Sequence, residues 1–473
     1  MEGHTYGLIS LVPIAIIIAA ALITKKTFQS ILYGTFAGFL ILGFGETLRN
    51  NPFSLGLIWD CCIASLNFFI ESLYSVMGSK DTNWVMLVVS LIGALIALME
   101  RSGGVLGFAD LAGKGIKSRF SAVMGTWFLG IMIFFDDYLN SLAIGASMRN
   151  ITDRFKISRE MLAYIVNSTG VTVCSIVPFS SWSAFMTAQM DTVGMVPEGV
   201  TAQATYIATM PYIFYGWIAV FLTPLFALKV LPLFGPIKKA EARAAAGQAL
   251  PDSTFPLYGK TGADAEEYTR SRAINFLVPM LSFALVAVLT EDILYGIFAG
   301  LGLCLVLYLP QKIMTLGEFC DCMMKGIIDM IPICISLMLI YTMQESSKAM
   351  GLTEYIIALI KGGLPPQLLP VVTFIVVGFI AFASGTFWGT AAIAFPIILP
   401  LANALGVDPY LCAGALISAV TFGGHICIYS DAVIMSCAST QITNADYFET
   451  SLPLVLVPTV LTIIILLVLG YTM

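Results

Sequence analysis

Charge is scarce in this sequence. Only 11% of its 473 residues are Asp, Glu, Lys or Arg, whereas 58% are hydrophobic; the charged fraction of a soluble domain is about 25%. Apolar runs recur along the whole chain, and about 20 such residues cross a hydrocarbon core of about 30 Å. The composition therefore predicts an all-α polytopic membrane protein with about 12 to 14 transmembrane segments. The first run lacks the basic flank and cleavage site of a signal peptide, so we expect a retained helix.

Other absences exclude functional classes. The net charge of −6 and the lack of a basic stripe argue against nucleic-acid binding. The 10 cysteines form no CxxC pair, so neither a disulfide framework nor a zinc site is indicated, and we expect mostly small buried hydrophobes. Neither HExxH nor GxSxG occurs, so we predict no enzymatic activity and no cofactor besides a transported or coupling Na⁺.

The chain contains an internal repeat. "ILYGTFAG" at 31–38 returns as "ILYGIFAG" at 293–300, and "PFSS" at 178–181 corresponds to "IYSD" at 428–431. The one long hydrophilic stretch in the sequence, 238–272, lies between the copies. We therefore predict a first repeat over 1–235, a linker over 236–272 and a second repeat over 273–473.

The charges next to corresponding segments indicate that the repeats are inverted. Lys25 and Lys26 precede the first ILYG copy, whereas Glu291 and Asp292 precede the second. The loop 149–159 carries four basic residues, and its counterpart 400–409 carries none. Because basic loops stay on the cytoplasmic side, equivalent loops are expected to face opposite sides of the membrane, with the central linker cytoplasmic.

One basic cluster does not fit the simplest tracing. Arg101, Lys114, Lys117 and Arg119 would face outward in it, so we expect a re-entrant or interfacial segment there.

Inverted repeats with broken helices place a transporter's substrate site near the bilayer midplane. Glycines and prolines within the apolar segments should mark those breaks. The predicted breakers are Gly145, Gly170, Pro178, Gly385, Gly389, Pro396, Gly423 and Gly424.

Two adjacent carboxylates mark the predicted site. Asp136 and Asp137 interrupt "IFFDDYLNSLAIG" at 133–145. A carboxylate inside a span costs about 2.5 to 3.5 kcal/mol on insertion scales, so it is a functional candidate by default. We expect at least one of the two to bind a cation or a proton. Alternatively, one caps the helix break; adjacent carboxylates point to different helix faces, so one facing the site and one in a structural bond is expected.

Amides and hydroxyls complete a set of hard oxygen donors that suits a small hard cation. Each hydroxyl could instead bond a carbonyl of its own helix, and His425 could relay protons, bind substrate or be a satisfied core residue. The predicted Na⁺ ligands are Asp137, Asn140, Ser168 and Thr386. The other predicted cation- or substrate-binding residues are Asp136, Ser141, Asn167, Thr169, Ser384, Trp388, Thr390, Thr421, His425, Tyr429, Ser430 and Asp431.

Glu100 and Glu345 end their apolar segments at comparable places in the two halves. We assign them a role in gating or coupling, with a helix-end or interface role as the alternative.

Two segments carry a family resemblance. "FFDDYLNSLAIGASMRNITDRFKISREMLAYIVNSTGVTVCSIVPFSSW" at 134–182 resembles the core of NhaC-type sodium/proton antiporters, and "GTFWGTAAIAFPIILPLA" at 385–402 resembles its second-half counterpart. The resemblance implies membership of the ion transporter superfamily, with re-entrant hairpins, an elevator-like moving domain and a homodimer. Where the family pattern resembles G-D-H-x-S-P-I-S-D-T, this chain reads "GGHICIYSDA" at 423–432, which removes oxygen ligands and adds an aromatic ring.

Two functions follow as hypotheses. The first is Na⁺/H⁺ antiport by alternating access, because a carboxylate that takes a proton loses its affinity for a cation. The alternative is Na⁺-coupled or exchange transport of a small organic solute, such as a carboxylate or an amino-acid-like molecule, on the same scaffold. Either one predicts a multi-pass protein of the plasma (inner) membrane whose partners are Na⁺, H⁺ and the lipid bilayer.

Overall fold

The computed structural model describes residues 6–24, 27–50, 55–113, 115–254, 271–290, 292–352, 355, 365–384, 387–428 and 430–472. Across these ranges the chain is helical and contains no β-strand, which confirms the all-α class.

The first half contains eleven α-helices among the described residues. They are α1 (Val12–Thr24), α2 (Thr27–Asn50), α3 (Leu55–Gly78), α4 (Lys80–Ser102), α5 (Gly104–Gly113), α6 (Arg119–Met132), α7 (Asp137–Arg154), α8 (Arg159–Ile176), α9 (Ser181–Thr192), α10 (Ala202–Thr209) and α11 (Phe214–Ala227).

One helix, α12 (Pro236–Ala245), lies in the linker. The other described helices belong to the second half: α13 (Ile274–Thr290), α14 (Ile293–Tyr308), α15 (Leu316–Ala349), α16 (Leu369–Ser384), α17 (Phe387–Leu405), α18 (Pro409–Ile426), α19 (Asp431–Thr440) and α20 (Asn444–Thr472).

Many of these helices can cross a membrane. Among the described residues, seven helical stretches are long and apolar enough to do so, or up to eight if the bent pair of Ala202–Tyr212 and Phe214–Ala227 is one span. Shorter apolar helices, including most of α13 and all of α14, accompany them. The protein is therefore an integral membrane protein, as predicted; the larger number of spans stays a prediction.

Helices α8 and α18 form the centre of the molecule. Every residue of α8 is buried, and so is nearly all of α18. Each is followed by a break and then by a short helix, α9 or α19, that starts at a capping serine. The pattern matters because unpaired backbone groups are costly in the membrane interior, so a break is tolerated only where protein or water satisfies it.

The two breaks use the same hydrogen bonds. Ser180 accepts from the Ser183 N–H at 3.0 Å, and its hydroxyl donates to the Cys174 carbonyl at 2.5 Å. Ser430 accepts from the Val433 N–H at 3.4 Å and donates to the Gly424 carbonyl at 2.9 Å. The matching geometry supports the sequence correspondence of "PFSS" with "IYSD", whereas the inverted orientation of the two repeats stays a prediction.

Most predicted breakers are wrong. Gly145 and Gly170 lie inside α7 and α8, and Gly389, Pro396, Gly423 and Gly424 lie inside α17 and α18. Of the others, Pro178 does lie in a break, whereas Gly385 falls outside the described residues. The physical reason is packing: a Cβ at Gly145 would stand 1.9 Å from Ser439 Oγ, so this glycine lets α7 approach α19. The first-half break before α7 spans 133–136 and contains neither Gly nor Pro.

The linker helix α12 is held by a buried carboxylate. Glu241 is 2% exposed and pairs with Arg119 at 2.6 Å and with Lys229 at 3.2 Å. It also accepts from the N–H and the hydroxyl of Ser158, each at 3.0 Å. Arg119 further donates to the Lys156 carbonyl at 2.9 Å. The start of α6 thus lies next to the linker helix, whereas the simplest tracing places Arg119 and the linker on opposite sides of the membrane.

We expect Glu241→Gln to lower the apparent melting temperature of the detergent-purified protein. The change removes the charge that the two cations share, and a lost hydrogen bond to a charged group costs about 1.5 to 3 kcal/mol. Glu198→Gln on an exposed loop is the matched control. Equal melting temperatures for both variants, measured by intrinsic fluorescence, would show that the linker helix is not held by this carboxylate.

Candidate functional site

The break before α7 is bonded to the start of α9. The Ser181 N–H donates to the Phe135 carbonyl at 3.0 Å, and the Ser181 hydroxyl donates to Asp136 Oδ2 at 3.0 Å. Cys174 Sγ donates to the Phe134 carbonyl at 3.3 Å. These bonds satisfy the carbonyls that a broken helix leaves without intrahelical partners.

Asp136 caps α7. Its Oδ1 accepts from the N–H groups of Tyr138 and Leu139 at 3.0 and 3.1 Å. Together with the bond from Ser181, this uses both carboxylate oxygens. Asp136 thus has the capping geometry that the sequence analysis held open as an alternative.

Asp137 is the carboxylate left incompletely bonded. Its side chain is 1% exposed, and its Oδ1 accepts from Trp182 Nε1 at 3.3 Å. Its Oδ2 is buried and has no hydrogen-bond partner among the described residues. An ionised carboxylate in that state is costly unless a cation or a proton compensates it.

Asn140 offers a second unpaired oxygen one turn away. Its Nδ2 donates to the carbonyls of Gly130 and Ile133 at 2.7 and 3.0 Å, which closes the C-terminal end of α6. Its Oδ1 is buried without a partner in the described part of the chain. Because the amide nitrogen is held by two hydrogen bonds, the position of the oxygen is fixed, and this oxygen is free to accept a hydrogen bond.

Gly170 keeps space open beside these oxygens. A Cβ at this position would lie 3.4 Å from Ser141 Oγ, 3.5 Å from the Asp137 carbonyl oxygen and 3.8 Å from Asn140 Oδ1. The lack of a side chain leaves a small space bordered by oxygens from the first turns of α7. Sequence reasoning had taken Gly170 for a helix breaker.

His425 lies in a fully bonded network. Its Nε2 lies 2.9 Å from Ser168 Oγ and its Nδ1 2.8 Å from Tyr215 Oη. The His425 carbonyl accepts from Asn167 Nδ2 at 2.8 Å and from Tyr447 Oη at 2.9 Å. The imidazole thus ties α8, α11 and α18 together, the arrangement of a satisfied core histidine.

Ser141 and Asn167 link α7 and α8 to α19. Ser141 Oγ lies 3.0 Å from Ser436 Oγ, which donates to Asn167 Oδ1 at 3.4 Å. The structure therefore brings the predicted residues of α7 and α8 together, although Ser168 is bonded to His425 rather than left open for a cation.

The remaining predicted residues have local roles or lie elsewhere. Thr169 and Thr421 bond carbonyls of their own helices, Ser430 caps α19, and Asp431 is exposed and accepts from Tyr138 Oη at 3.2 Å. Thr390 is buried near the start of α17, and Ser384 ends α16. Thr386 and Tyr429 lie outside the described residues.

The aromatic residues form a stack between the two halves. Trp182 is fully buried and stacks on Phe387, with ring centroids 4.2 Å apart. Trp388 packs edge-on against Phe185 at 4.7 Å, and its Nε1 is buried without a partner among the described residues.

Glu100 and Glu345 lie away from this centre. Glu100 is exposed in the last turn of α4, and Glu345 pairs with Lys348 at 3.0 Å on the surface of α15. Their role in gating stays a prediction.

Sequence reasoning missed Ser181, Tyr215 and Tyr447. A usable signal existed for the tyrosines, because a phenol inside an apolar helix has to find a hydrogen-bond partner. In the described part of the chain, no three His, Cys, Asp or Glu residues come together to hold a metal ion; amide, hydroxyl and main-chain oxygens are the donors that this site offers instead.

The second half of the chain matches a known family. The sequence model of the Na⁺/H⁺ antiporter family matches residues 231–471, slightly more than half of the chain. The chain belongs to the Na⁺/H⁺ antiporter family. The match confirms the expected sodium/proton antiporter type, and the narrower NhaC assignment stays a prediction.

Two individual proteins are also similar to this chain. An uncharacterized protein of Haemophilus influenzae is 27% identical over 98% of this chain and 91% of its own length. A Bacillus subtilis malate-2H⁺/Na⁺-lactate antiporter is 26% identical over 22% of this chain and 23% of its own.

Solved structures share the fold of this antiporter family member. The YdaH transporter of Alcanivorax borkumensis superposes with a TM-score of 0.60 at 12% identity, covering 92% of this chain and 98% of its own. MtrF of Neisseria gonorrhoeae, from a class of antimetabolite efflux pumps, gives 0.56 at 12% identity, covering 94% and 97%. Family and fold together are those of a secondary transporter.

We expect Asp136→Ala to destabilise the protein more than Asp137→Asn does. Loss of an N-cap costs about 0.5 to 2 kcal/mol, whereas the Asp137 side chain holds one long bond from Trp182. Thermal unfolding of the two purified variants in the absence of Na⁺ measures the difference. A larger loss in Asp137→Asn would mean that the two carboxylates have the opposite roles.

Proposed function

We propose that the protein exchanges Na⁺ for H⁺ and that Asp137 binds the two in competition. The observation that carries this proposal is a pair of buried, unpaired oxygens, Asp137 Oδ2 and Asn140 Oδ1, on residues about one turn apart in α7. Oxygen donors suit a hard cation, and the open side of Gly170 leaves room for one near the Asp137 carbonyl and Ser141.

Na⁺ and H⁺ compete because each neutralises the same Asp137 carboxylate. When Asp137 is ionised, a bound Na⁺ neutralises a carboxylate that water cannot reach; when Asp137 takes a proton, the cation loses its charged ligand. A single carboxylate therefore holds one of the two at a time. Asp136 cannot replace it, since both of its oxygens are used by the cap and by Ser181.

We further propose that the site moves between the two sides by an elevator-like motion of inverted repeats. The matched bonds of Ser180 and Ser430 at the two breaks support a common hairpin design. The NhaC-type assignment rests on the segments 134–182 and 385–402 quoted above. Ser168 is bonded to His425, and Thr386 lies outside the described residues. Both stay proposed Na⁺ ligands only for a state in which the site has rearranged.

Localisation in the plasma (inner) membrane with a cytoplasmic linker is also a proposal. It is supported by the basic residues around α12: Arg119 and Lys229 contact Glu241, and Arg243 pairs with Glu160 at 2.6 Å. Basic residues near the ends of spans favour the cytoplasmic side.

A homodimer is proposed through α3. Trp59 and Tyr74 on this helix are 70% and 71% exposed, and Asp60 is exposed as well. A charged residue on an apolar span favours a protein neighbour over lipid. Native mass spectrometry from lipid nanodiscs should give twice the chain mass, and a single-chain mass would contradict the proposal.

Transport in liposomes tests the Asp137 assignment. With an imposed Na⁺ gradient and an internal pH dye, we expect proton movement for the wild type and a loss of at least tenfold for Asp137→Asn. Asp136→Asn is the matched control, because asparagine also caps helices well, and it should retain transport. Retained Na⁺-dependent proton movement in Asp137→Asn would remove this residue from the site.

A second candidate is Na⁺-coupled transport of a small organic solute. The unpaired Trp388 Nε1 favours it, because this donor could bind an acceptor of such a molecule. The malate-2H⁺/Na⁺-lactate antiporter named above is a relative over a short segment only. No proton movement in the liposome assay, together with a solute-dependent rise in the protein's melting temperature that requires Na⁺, would favour this candidate over the first.

A further inference from the structure

A cavity lies between four helices at some distance from Asp137. Its volume is about 150 Å³. It is bounded by α1, the end of α9, the last turns of α15 and the middle of α17. Its polar lining side chains include Gln344, Ser347 and Lys348, and its apolar ones include Ile14, Ile393 and Ile397.

This cavity is separate from the proposed cation site. Helices α9 and α17 start at the stacked pair of Trp182 and Phe387. The cavity residues of α17 follow Phe387 by about 9 to 20 Å along the axis at 1.5 Å per residue. None of the residues that surround Asp137 lines it.

One polar group points to a missing ligand. Ser347 is 7% exposed and lines the cavity, yet its hydroxyl has no hydrogen-bond partner among the described residues. Its neighbour Gln344 is already fixed, since its Nε2 donates to the Ala392 carbonyl at 3.1 Å. A buried hydroxyl without a partner costs free energy that an incoming acceptor would recover.

The charge of the lining favours an anion. Lys348 is the one charged residue among the described lining side chains. Its ammonium pairs with Glu345 at 3.0 Å, but both side chains are largely exposed, at 61% and 41%. Such a pair is weak, and the ammonium has three donors, so further N–H groups of Lys348 can bind a second acceptor.

Apart from Thr192, whose hydroxyl donates to the Ala188 carbonyl of its own helix at 2.9 Å, the rest of the lining is apolar. Ile14, Met343, Ile393 and Ile397 surround the cavity with hydrocarbon. For comparison, an engineered apolar cavity of about 150 Å³ binds benzene. A ligand that fills the space therefore has roughly six to eight non-hydrogen atoms, mostly carbon.

We propose that this cavity binds a small amphipathic monocarboxylate. Its carboxylate accepts from the Ser347 hydroxyl and the Lys348 ammonium, and its alkyl chain lies among Ile14, Ile393 and Ile397. The site is distinct from the proposed Na⁺ site and does not depend on the direction or the ion of transport.

Hexanoate is a suitable probe because it has the proposed size, charge and tail. We expect saturable binding to the purified wild type, measured by saturation-transfer NMR and by the shift in melting temperature. Hexanol, which lacks the charge, should bind at least tenfold more weakly, and hexylamine should not compete. Binding in choline buffer without Na⁺ should be unchanged, which separates this proposal from the proposed exchange activity.

Three variants localise the binding. Ile397→Trp fills the cavity, and Ser347→Ala with Lys348→Gln removes the donors; both should reduce hexanoate affinity at least tenfold. Ile464→Trp, on the exposed face of α20, is the bulk-matched control and should bind as the wild type does. Unchanged hexanoate affinity in Ile397→Trp, or equal binding of hexanol and hexanoate, would overturn the proposal. If Ile397→Trp does not fold, the double variant decides alone.

Discussion

Broken helices inside a membrane protein leave backbone groups that lipid cannot satisfy, and the centre of this molecule is organised around that constraint. Asp136, Ser180 and Ser430 each begin a helix at a break, and each uses its side chain on the N–H groups there. Asn140 plays the complementary part at the end of α6, where its Nδ2 donates to two carbonyls. The proposed cation site consists of the groups that these bonds leave unpaired.

These hydrogen bonds use the two aspartates differently. Both carboxylate oxygens of Asp136 accept structural hydrogen bonds, whereas its neighbour Asp137 keeps one oxygen unpaired in a buried position. Adjacent residues on a helix point to different faces, so two identical side chains acquire different tasks. The same division applies to Asn140, whose nitrogen is structural and whose oxygen is free.

Sequence reasoning was right wherever composition and pattern carry the information. It predicted the helical membrane class and the antiporter type, and the matched bonds of Ser180 and Ser430 support the correspondence of "PFSS" with "IYSD". It failed on Gly145 and Gly170, because a glycine that allows two helices to approach looks the same in sequence as one that breaks a helix. It also missed the bond between Ser168, a predicted cation ligand, and His425, since the two residues are distant in the chain and near only in the fold.

The sequence by itself determined that the chain lies in a membrane, because lipid selects long apolar helices irrespective of how they pack. It also determined that carboxylates lie within apolar segments, where they call for partners. Only the tertiary structure decided which of the two aspartates is left unpaired. Hydrogen bonding depends on distances of about 3 Å between groups far apart in sequence, and such distances are set by packing rather than by local pattern.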